Sequence, residues 1–233
     1  MIYVFLIPSN LLMLYFKMIE FRQVSQRYPG RGEVLSHLNF RLLAGEMVYL
    51  TGHSGAGKTT FIKLMALLER PSFGFVLVNG AVGAAFSRHA SALYRQSLGL
   101  VTERPYLLPH RSVFDNVALP LVLQGTPKST INQAVHAVLD RFGLLNKAQR
   151  STHLLSAGEQ QRVAVARAIV HKPRLLLVDE PTTHWDPLLS FDMFNYFQQL
   201  NQAGMTILIA THDLALIAPM AHRVLRLTRG MLC

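Results

Sequence analysis

A glycine-rich segment that follows a short apolar run constrains this chain more than any other part of it. Residues 52–60 read Gly-His-Ser-Gly-Ala-Gly-Lys-Thr-Thr, a full match to the pattern G-x-x-x-x-G-K-[ST]. The run before it, Met47–Thr51, is typical of a short buried strand. A strand, a glycine-rich loop and a helix in this order predict an α/β fold whose loop encloses phosphate groups with backbone N–H groups.

The residues of this loop have distinct predicted roles in binding ATP. Lys58 can reach the β- and γ-phosphates, and the Thr59 hydroxyl can bind Mg²⁺. The helix that follows directs the positive end of its dipole at the phosphates. ATP and Mg²⁺ are therefore the predicted cofactors, and the predicted phosphate-binding residues are Gly52, His53, Ser54, Gly55, Ala56, Gly57, Lys58, Thr59 and Thr60.

A second apolar run ends in two carboxylates. Residues 175–178 are Leu-Leu-Leu-Val, and Asp179 and Glu180 follow them directly. Residues 206–210 form a similar run, and continuously apolar runs of this length are typical of parallel strands covered on both faces. In combination with the phosphate loop, Asp179 is predicted to bind Mg²⁺, and Glu180 to orient or polarise the water that attacks the γ-phosphate.

Periodic patterns predict further elements. Residues 19–24 have the pattern of a strand, and residues 34–42 alternate apolar and polar side chains as a half-buried antiparallel strand does. Residues 129–142 carry apolar side chains at helical spacing and end before Gly143, a suitable helix C-cap. A second helix is predicted over about residues 186–203, with its Met and aromatic positions packed into the core.

The segment between the two phosphate-site motifs carries a third pattern. Residues 155–162 read Leu-Ser-Ala-Gly-Glu-Gln-Gln-Arg and precede a helical run over residues 163–170. Ser156 and Glu159 have the spacing of a helix capping box. Capping alone explains these two residues but not the rest of the string.

This string resembles the signature sequence of the ABC ATPases, and the other motifs follow in the order found in that family. The resemblance covers about residues 18–232, almost the whole chain. Four longer strings are similar to the cell-division branch of the family, at residues 51–58, 69–72, 115–121 and 158–163.

The resemblance implies a fold and a division of the chain. The expected fold is an ABC-type P-loop nucleotide-binding domain over residues 18–233, with a RecA-like core, an N-terminal antiparallel β-subdomain and an α-helical subdomain inserted at about residues 104–155. Residues 1–17 are apolar but are interrupted by Pro8 and are shorter than the ~20 residues that span a bilayer. We expect them to be an extension upstream of a natural start at Met18, or alternatively a short hydrophobic anchor at a membrane surface.

The resemblance also implies a head-to-tail homodimer in which the signature of one subunit closes over ATP held by the other. Tyr28 would stack on the adenine. His212, after the 206–210 run, would contact the γ-phosphate and act with Lys58 and Glu180 in catalysis. The residues implied to complete the nucleotide site across the dimer are Ser156, Ala157, Gly158, Glu159 and Asp186.

Three positions depart from the family pattern. Glu103 stands where a glutamine is usual, and a carboxylate only accepts hydrogen bonds and adds negative charge beside the phosphates, although it can still bind Mg²⁺. Ala157 replaces a glycine of the signature, which adds a methyl group where backbone approaches phosphate. Residues 183–186, Thr-His-Trp-Asp, place a tryptophan at the expected dimer seam. These departures predict ATP binding with slow hydrolysis that depends on a partner.

Composition limits the class of protein. Half of the residues are hydrophobic and 15% are charged, which excludes a disordered chain. The single cysteine, Cys233, excludes an internal disulfide and a multi-cysteine metal cluster. The net charge of +10 indicates an acidic partner, which can be nucleotide phosphate, nucleic acid or an anionic membrane.

Three functions share these motifs. The first is the ATPase of a cell-division complex on the cytoplasmic face of the bacterial inner membrane, held by an FtsX-like integral membrane subunit. Residues 106–108, Tyr-Leu-Leu, are the expected docking surface, with core packing as the alternative. The second is the ATPase of an ordinary ABC solute transporter. The third, a soluble ABC ATPase acting on nucleic acid or the ribosome, is disfavoured because the chain carries one motif set and no room for a coiled-coil insertion, so no nucleic acid partner is expected.

Overall fold

The computed structural model describes residues 18–30, 32–182 and 185–233. The predictions for residues 1–17 and for Thr183 and His184 lie outside these ranges. Within them, no helix is both long and apolar enough to cross a bilayer.

The larger sheet has the strand order β10-β9-β3-β8-β7-β6. The strands from β9 to β6 pair in parallel, and β10 pairs antiparallel with β9 at one edge. All residues of β3, β7 and β8 are buried, which confirms the prediction of strands covered on both faces. The strands are β3 (Met47–Thr51), β6 (Leu98–Val101), β7 (Leu175–Asp179), β8 (Thr206–Thr211), β9 (Arg223–Thr228) and β10 (Met231–Leu232).

The smaller sheet is antiparallel, in the order β2-β1-β4-β5. Its strands are β1 (Met18–Tyr28), β2 (Gly32–Leu43), β4 (Phe73–Val78) and β5 (Ala81–Val82). In β2, Leu38, Phe40 and Leu42 are buried and the residues between them are exposed, which confirms the predicted half-buried strand. Strand β1 is longer than the predicted 19–24, because register shifts carry its pairing past Val24 to Tyr28.

Helices occupy the segments between the strands. They are α1 (Lys58–Met65), α2 (Arg88–Ser97), α3 (Val113–Leu123), α4 (Lys128–Arg141), α5 (Ala157–Ile169), α6 (Pro187–Gln202) and α7 (Leu214–Ile217). Helices α4 and α6 confirm the two predicted helices, with Gly143 in a left-handed conformation just past α4 and Asp186 as the N-cap of α6. Helix α5 begins six residues earlier than the predicted run at 163, because the Ser156–Glu159 capping box is formed and starts the helix there.

The alternation along β3 shows why the larger sheet is apolar on both faces. Met47 and Tyr49 join a core formed with helices α3 to α6, whereas Val48 and Leu50 join a core formed with α1 and the smaller sheet. Complete burial of each such side chain is worth about 1.5–3 kcal/mol. A polar residue at any of these positions would therefore destabilise the core that the replaced side chain joins.

The register of the parallel strands fixes the position of the site. Thr51 lies opposite Thr211, and Asp179 lies opposite Ala210. The chain therefore leaves β3, β7 and β8 side by side at one edge of the sheet. The α/β core, the antiparallel sheet and the helices between β6 and β7 confirm the predicted fold class.

Candidate functional site

The phosphate loop lies between β3 and α1 and depends on glycine. Gly57 has a φ of +107°, and a Cβ there would lie 2.7 Å from Leu35 Cδ2 and 3.1 Å from the Val34 carbonyl oxygen. A side chain at this position would therefore meet both backbone strain and a collision with β2. The loop is positioned by its contact with the smaller sheet as well as by the strand it follows.

Lys58, the first residue of α1, is buried at the centre of the site. Its Nζ donates to the Gly52 carbonyl oxygen at 2.8 Å, lies 3.4 Å from the His53 carbonyl oxygen, and pairs with Glu180 Oε1 at 3.2 Å. Because a buried ammonium without partners is costly, these contacts fix the position of the lysine. A direct ion pair thus links the phosphate loop to the carboxylates at the end of β7.

Glu180 connects three strand ends. Its backbone N–H donates to the Ala210 carbonyl oxygen at 2.9 Å, and its φ of +47° is rare for a residue other than glycine. His212 Nδ1 lies 2.9 Å from Glu180 Oε2, so this nitrogen carries the proton and donates to the carboxylate. The structure therefore brings the predicted catalytic residues Lys58, Glu180 and His212 into one hydrogen-bonded cluster.

Asp179, in contrast, is almost completely buried, and its Oδ1 has no hydrogen-bond partner in the described chain. Burial, helped by the negative charges of Glu180 and Glu103, raises the pKa of Asp179 to about 6, although the Thr59 hydroxyl and Lys58 act in the opposite direction. An unpartnered buried carboxylate oxygen next to a hydroxyl is the donor set that Mg²⁺ prefers. The described residues contain no group of three or more His, Cys, Asp or Glu side chains that could hold a metal by themselves, so phosphate and water oxygens would complete the coordination.

Glu103 is exposed and lies two residues beyond β6, which pairs with β7. The segment that carries it is held by helix α5: Gln161 Nε2 donates to the Thr102 carbonyl oxygen at 3.1 Å, and an Arg167 N–H donates to the Tyr106 carbonyl oxygen at 2.7 Å. Sequence reasoning missed the roles of Gln161 and Arg167. The unexplained Gln-Gln-Arg at residues 160–162 was an indication of Gln161, whereas no motif in the sequence analysis included Arg167.

Tyr28 ends β1 and lies against α1. Its hydroxyl donates to the carboxylate of Glu69 and lies 3.4 Å from Thr60 Oγ1, so the ring is beside the first turn after the phosphate loop. Glu69 also pairs with Lys63 at 3.1 Å. Sequence reasoning assigned a role to neither residue, although Glu69 begins the string at residues 69–72 that contributes to the family resemblance.

The signature residues form a second, separate group. Ser156 Oγ accepts from the Glu159 N–H at 3.3 Å, Glu159 Oε2 accepts from the Ser156 N–H at 3.0 Å, and Glu159 also forms an ion pair with Lys147. A cavity of about 390 Å³ lies beside this group, and it contains no residue of the phosphate loop. It is lined by Ser156, Ala157, Gly158, Glu159, Arg162, Trp185, Asp186 and Leu189.

The remaining predicted residues belong to one or the other of these two groups. Asp186 lines the cavity beside the signature, and its Oδ1 accepts from the Leu189 N–H at 2.9 Å as the α6 cap. His53 Nδ1 lies 2.7 Å from the Ser54 carbonyl oxygen, and Ala56 is buried against the smaller sheet. One chain therefore assembles the residues predicted to hold phosphate, metal and water, but leaves the signature apart from them.

Comparison with known proteins identifies relatives for both the sequence and the fold. A family model described as ABC transporter matches residues 35–183. The cell division ATP-binding protein FtsE of Escherichia coli is 43% identical over 215 residues, which cover 92% of this chain and 97% of that protein. FtsE of Haemophilus influenzae is 46% identical over 216 residues, covering 92% and 99%.

Solved structures agree with the sequence comparison. A dimeric bacterial ABC transporter cassette, MJ0796, superposes with a TM-score of 0.86 at 27% identity, covering 92% of this chain and 96% of that one. The same cassette in a dimeric post-hydrolysis state bound to ADP and phosphate matches with a TM-score of 0.86 at 26% identity, with the same coverage.

Proposed function

Because the chain belongs to the ABC transporter family of ATP-binding proteins, we propose that it is the FtsE-type ATPase subunit of a membrane complex that acts in bacterial cell division. It binds and hydrolyses ATP as members of this family do. The cluster of Lys58, Glu180 and His212 beside the buried Asp179 is the observation that carries the proposal. The cell-division role rests on the FtsE relatives.

Nucleotide binding is assigned to two elements. The backbone of residues 52–60 and the dipole of α1 hold the phosphates, and Lys58 exchanges its Glu180 contact for the β- and γ-phosphates. Tyr28 supplies a ring face for the adenine. Thr59 and Asp179 would hold Mg²⁺, with Glu103 nearby; when bound, this ion neutralises charge on the phosphate oxygens.

Hydrolysis is assigned to Glu180. Its carboxylate lies at the strand ends where the γ-phosphate would lie, so it can accept a hydrogen bond from the attacking water and orient it. His212 keeps Glu180 in place through the 2.9 Å contact of its Nδ1, and its other ring nitrogen would contact the γ-phosphate. Lys58 stabilises negative charge on the phosphoryl group as it transfers.

The second group of residues supports assembly as a homodimer. Dimeric cassettes are among the structural relatives, and a membrane partner is general for ABC systems. A head-to-tail arrangement would bring the α5 N-terminus, with its capped N–H groups and positive dipole end, to the γ-phosphate held by the other subunit. Ser156, Ala157, Gly158, Glu159 and Asp186 would then complete the site in pairs.

The membrane partner is proposed to be an FtsX-like integral membrane subunit that holds this protein at the cytoplasmic face of the inner membrane. The proposed docking surface is the segment after Glu103, in which Tyr106 is 74% exposed and Leu108 is 42% exposed. Val122 and Leu123 at the C-terminal end of α3 are also exposed apolar residues of the predicted helical subdomain. The +10 net charge suits a position under an anionic bilayer.

Slow and partner-dependent hydrolysis is part of the proposal. The Glu103 charge acts on Asp179, and the Ala157 methyl group stands at the first residue of α5. Both changes disturb the environment of the phosphates and leave the catalytic cluster intact. We expect ATP to bind in the isolated protein and turnover to rise when the partner is present.

Co-expression with an FtsX-like subunit tests the function. The tagged membrane subunit, extracted in detergent, should retain this protein, and its ATPase rate per site should exceed that of the isolated protein. A Tyr106→Ser/Leu108→Ser variant should lose retention, whereas Leu43→Ser, which changes an exposed leucine on β2, should keep it. Fast hydrolysis without the membrane subunit, or no retention of the unaltered protein, would contradict the proposal.

A further inference from the structure

The contacts of Glu69 assign it a place in the nucleotide site that no motif explains. Glu69 lies in the turn after α1, and its side chain is about three-quarters buried. One carboxylate oxygen, Oε2, accepts from the Tyr28 hydroxyl, and the other, Oε1, lies 3.1 Å from Lys63 Nζ. The carboxylate therefore joins the end of β1 to the last turn of α1.

The Tyr28 ring has few other restraints. It is half-buried at the end of β1 and precedes the turn at Pro29 and Gly30, where the backbone has left the sheet. Apart from Glu69, the only other hydrogen-bonding group described near its hydroxyl is Thr60 Oγ1, at 3.4 Å. Since a carboxylate accepts and cannot donate, the Tyr28 proton points to Glu69 and the ring orientation follows from that bond.

We propose that Glu69 is a positioning residue for nucleotide binding, which holds the Tyr28 ring in the orientation that stacks on the adenine base. The inference rests on the proposed stacking role of Tyr28 and adds the group that prepares it. A ring held in place before the base arrives loses less conformational entropy on binding. Glu69 thereby increases affinity for the base without contacting the nucleotide.

The charges around Tyr28 and Glu69 suit a position close to a triphosphate. Burial, together with the negative Glu69 carboxylate, raises the pKa of Tyr28, so the ring stays neutral. The same carboxylate raises the pKa of Lys63, which stays protonated and offsets the charge of Glu69. Glu69 and Lys63 together therefore fix the Tyr28 ring without adding net negative charge beside the phosphate loop.

A simpler role for Glu69 would be to fasten the turn after α1 through Lys63. The two roles differ in what they predict for a ligand that has no base. A fastening role acts on the helix that follows the phosphate loop, so its loss would affect every ligand of that loop. A positioning role acts on the base alone, so its loss would spare inorganic tripolyphosphate.

The test measures dissociation constants of ATP and of inorganic tripolyphosphate, together with the melting temperature, for a set of variants. Tyr28→Phe and Glu69→Ala should each weaken ATP binding by about 2- to 10-fold, the range of one hydrogen bond. Both should leave the affinity for tripolyphosphate unchanged. Glu69→Gln keeps an acceptor and should restore most of the affinity. The double variant Tyr28→Phe/Glu69→Ala should be no weaker than either single variant, because both remove the same bond.

Two comparisons make the outcome decisive. Glu33 on β2 is a carboxylate of similar exposure to Glu69, and it pairs at 3.8 Å with Arg27, the residue before Tyr28. The control variant Glu33→Ala should leave the affinities for ATP and for tripolyphosphate unchanged. If Tyr28→Ala leaves ATP affinity unaltered, the stacking role of Tyr28 fails and this inference with it. If Tyr28→Ala weakens ATP but Glu69→Ala does not, or if Glu69→Ala weakens tripolyphosphate equally, the stacking role stands and the positioning role of Glu69 is overturned.

Discussion

Asp179 and Glu180 are neighbours in the chain, and their surroundings give them opposite properties. Asp179 belongs to a central strand, so its carboxylate is buried and one oxygen lacks a partner in the described residues. Glu180 has left the strand, and Lys58 and His212 bind its two oxygens. The first residue is suited to a cation and the second to a water molecule, although each has the same functional group.

Replacing Glu180 by Gln should separate binding from hydrolysis. The amide keeps the size of the side chain but cannot act as a base, so turnover should fall by about 10²- to 10⁴-fold while ATP still binds. Phosphate release and equilibrium binding of a fluorescent ATP analogue measure the two effects. Asp192→Asn, an exposed carboxylate on α6, is the matched control and should leave both unchanged. Substantial hydrolysis by Glu180→Gln would assign the water to another residue.

Replacing Glu103 by Gln should tighten binding of Mg²⁺-ATP. Removing one exposed like charge near the phosphates is worth about 1 kcal/mol, or about fivefold in affinity. The Glu103 charge also contributes to the raised pKa of Asp179, about 6, and Asp179 cannot bind a cation when protonated. The acid limb of the kcat/KM profile should therefore move to lower pH in the variant.

A pH profile of the wild type and of Glu103→Gln measures this shift. Glu46→Gln is the control, because Glu46 precedes β3 at the opposite end of the strand from the phosphate loop. A profile that stays in place in Glu103→Gln, with unchanged affinity, would show that the carboxylate at this position does not act on the metal site.

At the scale of elements, the sequence predicted helices and strands where buried side chains recur at a regular spacing. Helix α4 and strand β2 show this period clearly, and both were predicted within two residues. Helix α2 was not predicted, because Tyr94 is its only buried residue and most of its other residues are polar or small. Helix α3 carries Pro120 in its interior, which argues against a helix from sequence, although its surroundings tolerate the missing N–H donor.

The candidate site divides in the same way. Residues that belong to contiguous motifs, such as Lys58 and Glu180, were predicted from their spacing. Glu69, Gln161 and Arg167 were not, because their partners lie 41, 59 and 61 positions away and depend on how the elements pack. Sequence motifs identify groups that contact the ligand, whereas the groups that position them require tertiary structure.

The stability that the N-terminus of helix α5 contributes to the fold should depend on pH, because Glu159 of its capping box titrates. The hydrogen bond from Lys147, together with the backbone and side chain of Ser156, lowers the pKa of Glu159 below its usual 4.5. The unfolded chain therefore binds this proton more readily than the folded chain does. The stabilisation is present above pH 4.5 and is lost as the pH falls through the lowered pKa of Glu159.

Urea unfolding of wild type and Glu159→Gln measures this contribution. At pH 7 the variant should be less stable by about 1–2 kcal/mol, and the difference should shrink in acid below pH 4.5. Lys147→Met, which removes the other partner, should show a comparable loss at pH 7. A difference that keeps its size in acid would mean that Glu159 acts through its shape and not through its charge.

At the scale of the whole molecule, the predicted nucleotide-site residues form two groups that do not meet within one chain. The phosphate loop, Asp179 and Glu180 lie at the strand ends, and the signature lines a different cavity. Two leucines on the first turn of α6 are exposed beside that cavity: Leu188 is 79% exposed, and Leu189, which lines the cavity, is 40% exposed. Large apolar side chains that are exposed together at one place are typical of a surface that another protein molecule covers.

The tryptophan at this surface makes dimer formation directly observable. Trp185 is the single tryptophan of the chain, and its indole Nε1 is buried without a hydrogen-bond partner among the described residues. In the Glu180→Gln background, ATP should double the molecular mass in light scattering and change the Trp185 fluorescence at the same nucleotide concentration. ADP should do neither, because it lacks the γ-phosphate that the second subunit would contact in the proposed dimer.

Leu188→Asp should abolish the ATP-dependent dimer, because closure would bury an unpaired charge at the seam. Leu43→Asp, at an exposed leucine of the smaller sheet, should dimerise normally. If Leu188→Asp and Leu43→Asp dimerise equally well, the seam lies elsewhere on the molecule. If the fluorescence changes without a change in mass, ATP alters the surroundings of Trp185 within one subunit. The head-to-tail arrangement requires both signals to appear together and to disappear together in Leu188→Asp.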